Sequence, residues 1–172
     1  VVEQLRLRNF ILCFVGADSY AFVHRTFLEY FCAADFVHQF NVAKTLDVDS
    51  LIAVFDDHCR DDDWREVLRL ICGQIDETFA GQIIEKLRSH YDPGQWANWD
   101  QQEPLPELAL AIYCLGEVRG TTKLELAGQA LLDSVVDILT ESGQEGRIYT
   151  RVDDFLNEDL MPAIEEIGAR WP

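Results

Sequence analysis

The stretch "YAFVHRTFLEYFCAADFV", residues 20–37, decides how the rest of the chain is read. Its first five residues alternate aromatic and small side chains, the two-residue period of a strand. Just upstream, "NFILCFV" at 9–15 is rich in branched and aromatic residues, and "GADS" at 16–19 is turn chemistry. Together they predict a β-hairpin. From Arg25 the period becomes helical. Phe27, Tyr30, Phe31, Ala34 and Val37 fall on one stripe, and Leu28, Cys32, Phe36 and Phe40 on a second beside it. Only Glu29, Ala33 and Gln39 are left as a strip for solvent. A helix this apolar is expected to be buried on more than one side, wedged between two layers with Phe31 in the core.

Downstream the pattern is helix after helix. Residues 49–59 put Leu51, Ile52 and Phe55 on one face. Asp63, with Glu66 three residues on, reads as a capping box for a helix facing inward through Trp64, Val67, Leu68, Ile71 and Ile75. Ala80, Ile83, Ile84, Leu87 and Tyr91 define the next helix, stopped by "DPG" at 92–94. "QWANWDQQEPLP" at 95–106 is the one long irregular segment. Pro106 opens a helix carrying Leu108, Ala109, Ile112 and Leu115, ended by Gly120. Thr122 and Glu125 form a second capping box for a helix reaching about residue 140, and "ESGQEG" at 141–146 is a loop. The last helical region, 153–170, bends or restarts at Pro162. The expected fold is therefore mainly α: an N-terminal β-hairpin, then a bundle or short solenoid of antiparallel helix pairs. No internal repeat selects a solenoid family.

The chain has 172 residues, enough for one domain with a real core. Lys plus Arg is 14 and Asp plus Glu is 31, for a net charge of −17. That disfavours direct nucleic-acid binding, which needs a basic face, and an anionic membrane surface. No apolar run approaches the ~18 residues of a membrane-spanning helix. The start, "VVEQLRLRNF", has neither an initiator Met nor a signal peptide and reads as a piece of a larger cytoplasmic protein. Cys13, Cys32, Cys59, Cys72 and Cys114 are odd in number, lack a CxxC pair and sit in apolar or helical contexts. Buried free thiols are the expected reading.

Phe22-Val23-His24, followed by Arg25, Thr26, Phe27, Leu28, Glu29, Tyr30, Phe31 and three small residues, resembles the segment that closes the winged-helix domain of NACHT-type STAND NTPases. The match spans residues 20–36. "WREVLRLICGQI" at 64–75 is similar to helices that follow this module in bacterial members. The resemblance implies a winged-helix remnant over 1–40, with the hairpin as its wing, and a helical arm over 41–172. It implies a regulatory or sensor segment of a signal-transduction NTPase in bacterial defence or stress response. That segment would hold the ADP-bound resting state and recognise a trigger or partner protein. His24 is then the residue that reaches an ADP phosphate, with Arg25 as a possible second contact. An imidazole can donate to a phosphate oxygen, and a helix N-terminus beside it favours an anion. The alternative is a His24 that bonds a backbone carbonyl at the hairpin end. No GxxxxGK[ST] phosphate loop occurs. ADP or ATP with Mg would therefore be held by an upstream nucleotide-binding domain of the parent protein. The segment itself is expected to lack enzymatic activity, a cofactor and a metal.

Two other constellations compete. Asp56, Asp57, His58, Asp61 and Asp62 could bind Mg or Mn as part of a hydrolase, but acids between two helices usually cap them. Cys13 and His24 could pair as nucleophile and base across the hairpin, with no third group to orient them. Trp96 and Trp99 either anchor their loop or offer aromatic contacts to a partner. Outside the resemblance, a free-standing helical scaffold for protein–protein contact fits the same pattern.

Overall fold

The structure, a computed structural model, describes residues 11–17, 19–92, 105–118, 124–144 and 154–168. It is mainly α with an N-terminal hairpin, as expected. Strand β1 (Leu12–Gly16) pairs antiparallel with β2 (Ser19–Phe22), setting Leu12 opposite Phe22 and Phe14 opposite Tyr20. Gly16 turns the chain at φ +107°, where a side chain would be strained, and Ala17 follows at φ 47°.

Helix α1 (Arg25–His38) starts two residues after β2 and runs unbroken into a π-helical turn, Gln39–Ala43, closed by left-handed Lys44 at φ 55°. Helix α2 (Val48–His58) is capped by Asp47, whose Oδ1 accepts the Ser50 N–H at 2.8 Å. Helix α3 (Arg65–Cys72) does not use the expected capping box. Trp64 is at its cap position, with no side-chain cap. Asp61 orders the preceding turn instead: its Oδ1 accepts the Asp63 N–H and its carbonyl the Trp64 N–H, both at 2.9 Å. Asp76 caps α4 (Glu77–Arg88) through the Thr78 N–H. Pro106 is the first residue of α5 (Pro106–Glu117), where its missing N–H costs nothing. Helix α6 (Glu125–Gln144) runs four residues past its expected end, because in "ESGQ" only Gly143 disfavours a helix. A second π-helical turn, Leu156–Leu160, leads into α7 (Met161–Gly168), so the restart falls one residue before Pro162. Gly120, Thr122, Trp96, Trp99 and the "PG" of the expected stop lie outside the described residues.

The helix enclosed on all sides is α5. Glu107, Leu108, Ala109, Leu110, Ala111, Ile112, Cys114 and Leu115 are all buried, and α3, α4, α6 and α7 pack around it. At Gly116 an added Cβ would lie 3.2 Å from Ile167 Cγ1, so the glycine sets how closely α7 approaches. Charge completes the packing. Arg69, 16% exposed, sends Nη2 to Glu117 on α5 at 2.7 Å and to Glu166 on α7 at 2.5 Å, and its guanidinium lies 4.7 Å from the Tyr113 ring centre. Arg60 Nε meets the buried Glu107 at 2.6 Å. These pairs join residues 47 to 97 positions apart: Arg69 fixes α3 against α5 and α7, and Arg60 fixes the turn after α2 against α5.

Helix α1 lies at the margin, against β2 and α3. Its expected orientation is inverted. Glu29 and Ala33, assigned to solvent, are its buried residues, while Leu28, Tyr30 and Phe31 are 52%, 50% and 40% exposed. The stripe facing the helical core is Glu29, Ala33, Phe36 and Phe40, a period of four, three and four. Ala33 permits close approach to α3. Glu29 tolerates burial because Arg25 Nε lies 2.6 Å from its Oε1. Phe31 is therefore not a core residue, and α1 is not wedged between two layers of the described structure.

Candidate functional site

His24 occupies the junction of β2 and α1, at the cap position of α1 with extended backbone at φ −127° and ψ 140°. It is exposed, and its side chain makes no hydrogen bond among the described residues, including the carbonyl contact considered from sequence. Its nearest aromatic neighbour is Phe27, with ring centres 6.1 Å apart. The His24 carbonyl accepts the Phe27 N–H at 3.1 Å. A donor ring thus stands at a helix N-terminus whose first N–H groups lack a side-chain cap. This pairing of an exposed imidazole with partial positive charge can receive an anionic oxygen.

Arg25 is adjacent in sequence but differently engaged. Its Nε meets Glu29, its Nη1 meets Asp63 Oδ1 at 2.9 Å, and its Nη2 donates to the Asp63 carbonyl at 3.1 Å. Those contacts, Glu29 first and Asp63 second, push the guanidinium further above its ordinary value. Arg25 therefore clamps α1 to the turn before α3, and the structure does not bring it to His24 as a second anion donor.

The clamp borders a cleft of about 390 Å³ lined by Leu28, Glu29, Cys32, Trp64 and Val67 together with Arg25 and Asp63. Beyond Leu28 the surface becomes aromatic. Phe22 stacks on Phe31 at 5.7 Å, Phe31 meets Tyr30 edge-on at 5.6 Å, and Phe14 meets Tyr20 at 5.5 Å. On this side Phe14 and Tyr20 are 55% and 40% exposed. This face lies on the electrically balanced end of the chain. Arg6, Arg8 and Arg25 offset Glu3, Asp18 and Glu29, so the whole −17 belongs to residues 35–172. A charge-poor, aromatic-rich exposed patch has the composition of a protein-contact core. Sequence periodicity missed it because both apolar stripes of α1 looked equally fit for burial.

The aspartate run disperses. Asp56 meets Lys86 and His90, each at 3.2 Å. His58 stacks on Trp64 at 3.8 Å, Asp61 orders its turn, and Asp62 pairs with Arg65. Among the described residues no three His, Cys, Asp or Glu side chains converge as a metal site. Cys13, expected to be buried, is exposed, and its Sγ lies 3.5 Å from the Ala21 carbonyl. The hairpin register sets Cys13 opposite Ala21, two residues short of Val23, so no contact with His24 arises. Cys72 and Cys114 are fully buried, and burial, then hydrogen bonding with Cys114, pushes the Cys72 thiol well up. Among the described residues no helix is long and apolar enough to cross a membrane.

Comparison with protein-family models, curated proteins and solved structures gives no match.

Proposed function

We propose that this chain is the hinge and helical arm of a NACHT-like STAND NTPase, with no catalytic role of its own. In this reading an upstream domain of the parent protein holds ADP or ATP with Mg. The aromatic face of β1 and β2 rests against that domain, leaving Leu28, Tyr30 and Phe31 of α1 uncovered. His24 donates to an ADP phosphate in the resting state, while Arg25 ties α1 to the arm so that both move together. The arm, held as one body by Arg69 and Arg60, meets a trigger or effector protein. The observation that supports this most directly is His24, exposed and unbonded at an uncapped helix N-terminus beside an uncovered aromatic face.

The test uses the longer protein that contains the nucleotide-binding domain. Losing one charge-assisted hydrogen bond costs about 1.5–3 kcal/mol. His24→Leu should therefore speed ADP release roughly tenfold to a hundredfold while circular dichroism stays native. Unchanged release from a folded variant defeats the assignment. The exposed aromatic face also favours a second reading, a free-standing protein–protein scaffold, which needs no nucleotide. A phosphate loop encoded upstream of Val1 separates the two.

A further inference from the structure

We propose that the cleft between α1 and the turn before α3 receives a cationic side chain, arginine or lysine, from a helical segment of a protein partner. The proposal stands apart from any role of His24 toward nucleotide.

The argument begins with unequal charge. Two carboxylates, Glu29 and Asp63, face one guanidinium, Arg25, so the cleft carries a net negative charge. Arg25 uses Oε1 of Glu29 and Oδ1 of Asp63. The second oxygens, Glu29 Oε2 and Asp63 Oδ2, make no bond among the described residues, which leaves two acceptors. The Glu29 side chain is 10% exposed and that of Asp63 is 80% exposed, so a cation entering from solvent reaches Asp63 first. The remaining wall is apolar: Leu28, Val67, Cys32 and the Trp64 indole. Its volume lies at the small end of ligand sites. An apolar stem with a charged tip matches this arrangement. The methylenes of Arg or Lys cover Leu28 and Val67, the head meets the free oxygens, and Trp64 adds a cation–π attraction.

The surroundings point to a protein as the source of that cation. Leu28 continues one turn along α1 into Phe31, with Tyr30 beside it, and all three are exposed. A partner helix that places a cation in the cleft would lay neighbouring apolar residues on this shelf. A small organic cation would leave the shelf wet. A phosphate is disfavoured by the two carboxylates. The charge of the whole chain adds long-range attraction for a basic partner.

The test is selection of helix-stabilised peptides from a display library on the immobilised chain, followed by calorimetry. Enriched peptides should carry Arg or Lys beside apolar residues. Asp63→Asn should weaken the best peptide about tenfold, the scale of truncating one partner of a close charge pair. Leu28→Ala should weaken it several-fold, and Asp133→Asn on α6 should leave it unchanged. Replacing the peptide's cation by norleucine should reproduce the Asp63→Asn loss on the unaltered chain, which keeps the test valid if Asp63→Asn disturbs folding. The proposal is overturned if no peptide is enriched, if enriched peptides lack a cation, or if the norleucine peptide binds equally well. It is also overturned if arginine methyl ester matches the affinity of the peptide, because the site would then serve a small cation.

Discussion

Replacing Arg69 by methionine should destabilise the helical core, because it removes the cation shared by α5 and α7. Methionine keeps the unbranched stem and removes the guanidinium. Glu117 and Glu166, bound to the same Nη2 atom at 2.7 and 2.5 Å, then lose that shared guanidinium, as does Glu66. Breaking a fully buried pair by removing one partner costs about 3–5 kcal/mol. Here Glu117 is 23% and Glu166 36% exposed, so water offsets part of that cost. Losing the Tyr113 contact acts in the other direction. The expected destabilisation is about 2–3 kcal/mol, between the buried and exposed limits. With a urea slope of about 2 kcal/mol/M, the unfolding midpoint should fall by about 1–1.5 M. Arg69→Lys should lose about half as much, since one ammonium cannot serve both carboxylates and stack on the ring. Adding Glu117→Gln and Glu166→Gln to Arg69→Met should restore part of the stability, because the harm lies in carboxylates that have lost this guanidinium. A midpoint shift below about 0.3 M, or a triple variant no better than the single, would refute the account of Arg69 as the pin between α3, α5 and α7.

Phe31→Ala should cost only about 1 kcal/mol, the scale of its stacking on Phe22, whereas Phe55→Ala in the core should cost about 3–5 kcal/mol; equal losses in denaturant melts would restore Phe31 to the interior. Hydrogen bonds from the Ser50 side chain and then its backbone N–H hold the Asp47 carboxyl below its usual range. The charge-dependent part of its capping contribution is therefore complete above the unfolded value of about 3.9 and disappears as pH falls through the lower folded value. Asp47→Ala should accordingly lower the melting temperature more at pH 7 than at a pH below both values; a pH-independent difference would contradict this. Toward a thiol reagent under native conditions, exposed Cys13 should react first. Cys32 and Cys59, partly buried and raised, should follow slowly, and Cys72 and Cys114 should react only on unfolding.

The hairpin and the helices were legible because each has its own period and punctuation. The hairpin, Pro106 at a helix start and the inward face of α3 transferred to the structure, although the second strand ends at Phe22 and not at His24. The orientation of α1 was not legible. With apolar residues on both stripes, periodicity offered no choice of face, and the deciding interactions involve distant residues: Arg25 reaching Asp63, and Ala33 set against α3. The contacts of Arg69 were hidden for the same reason, since no local pattern links positions 69, 117 and 166. The cap of α3 was misread because "DDDW" offers several acids, and Asp61 rather than Asp63 takes the turn. Of the candidate site, His24 at the strand–helix junction could be read from the chain, whereas Arg25 as a clamp needed the fold.

The inverted seating of α1 separates two kinds of selection on one helix. Residues that hold it to the arm, Glu29, Ala33, Phe36 and Phe40, answer to folding. Leu28, Tyr30 and Phe31, pointing away, answer only to whatever they touch. A deep substitution scan scored for abundance should therefore tolerate change at the second group and reject it at the first, while a scan scored for partner engagement should be sensitive at both. The positions where the two maps disagree would outline the proposed docking surface before any complex is seen. They would also mark where the chain can acquire a new partner in single steps, each one leaving the fold intact.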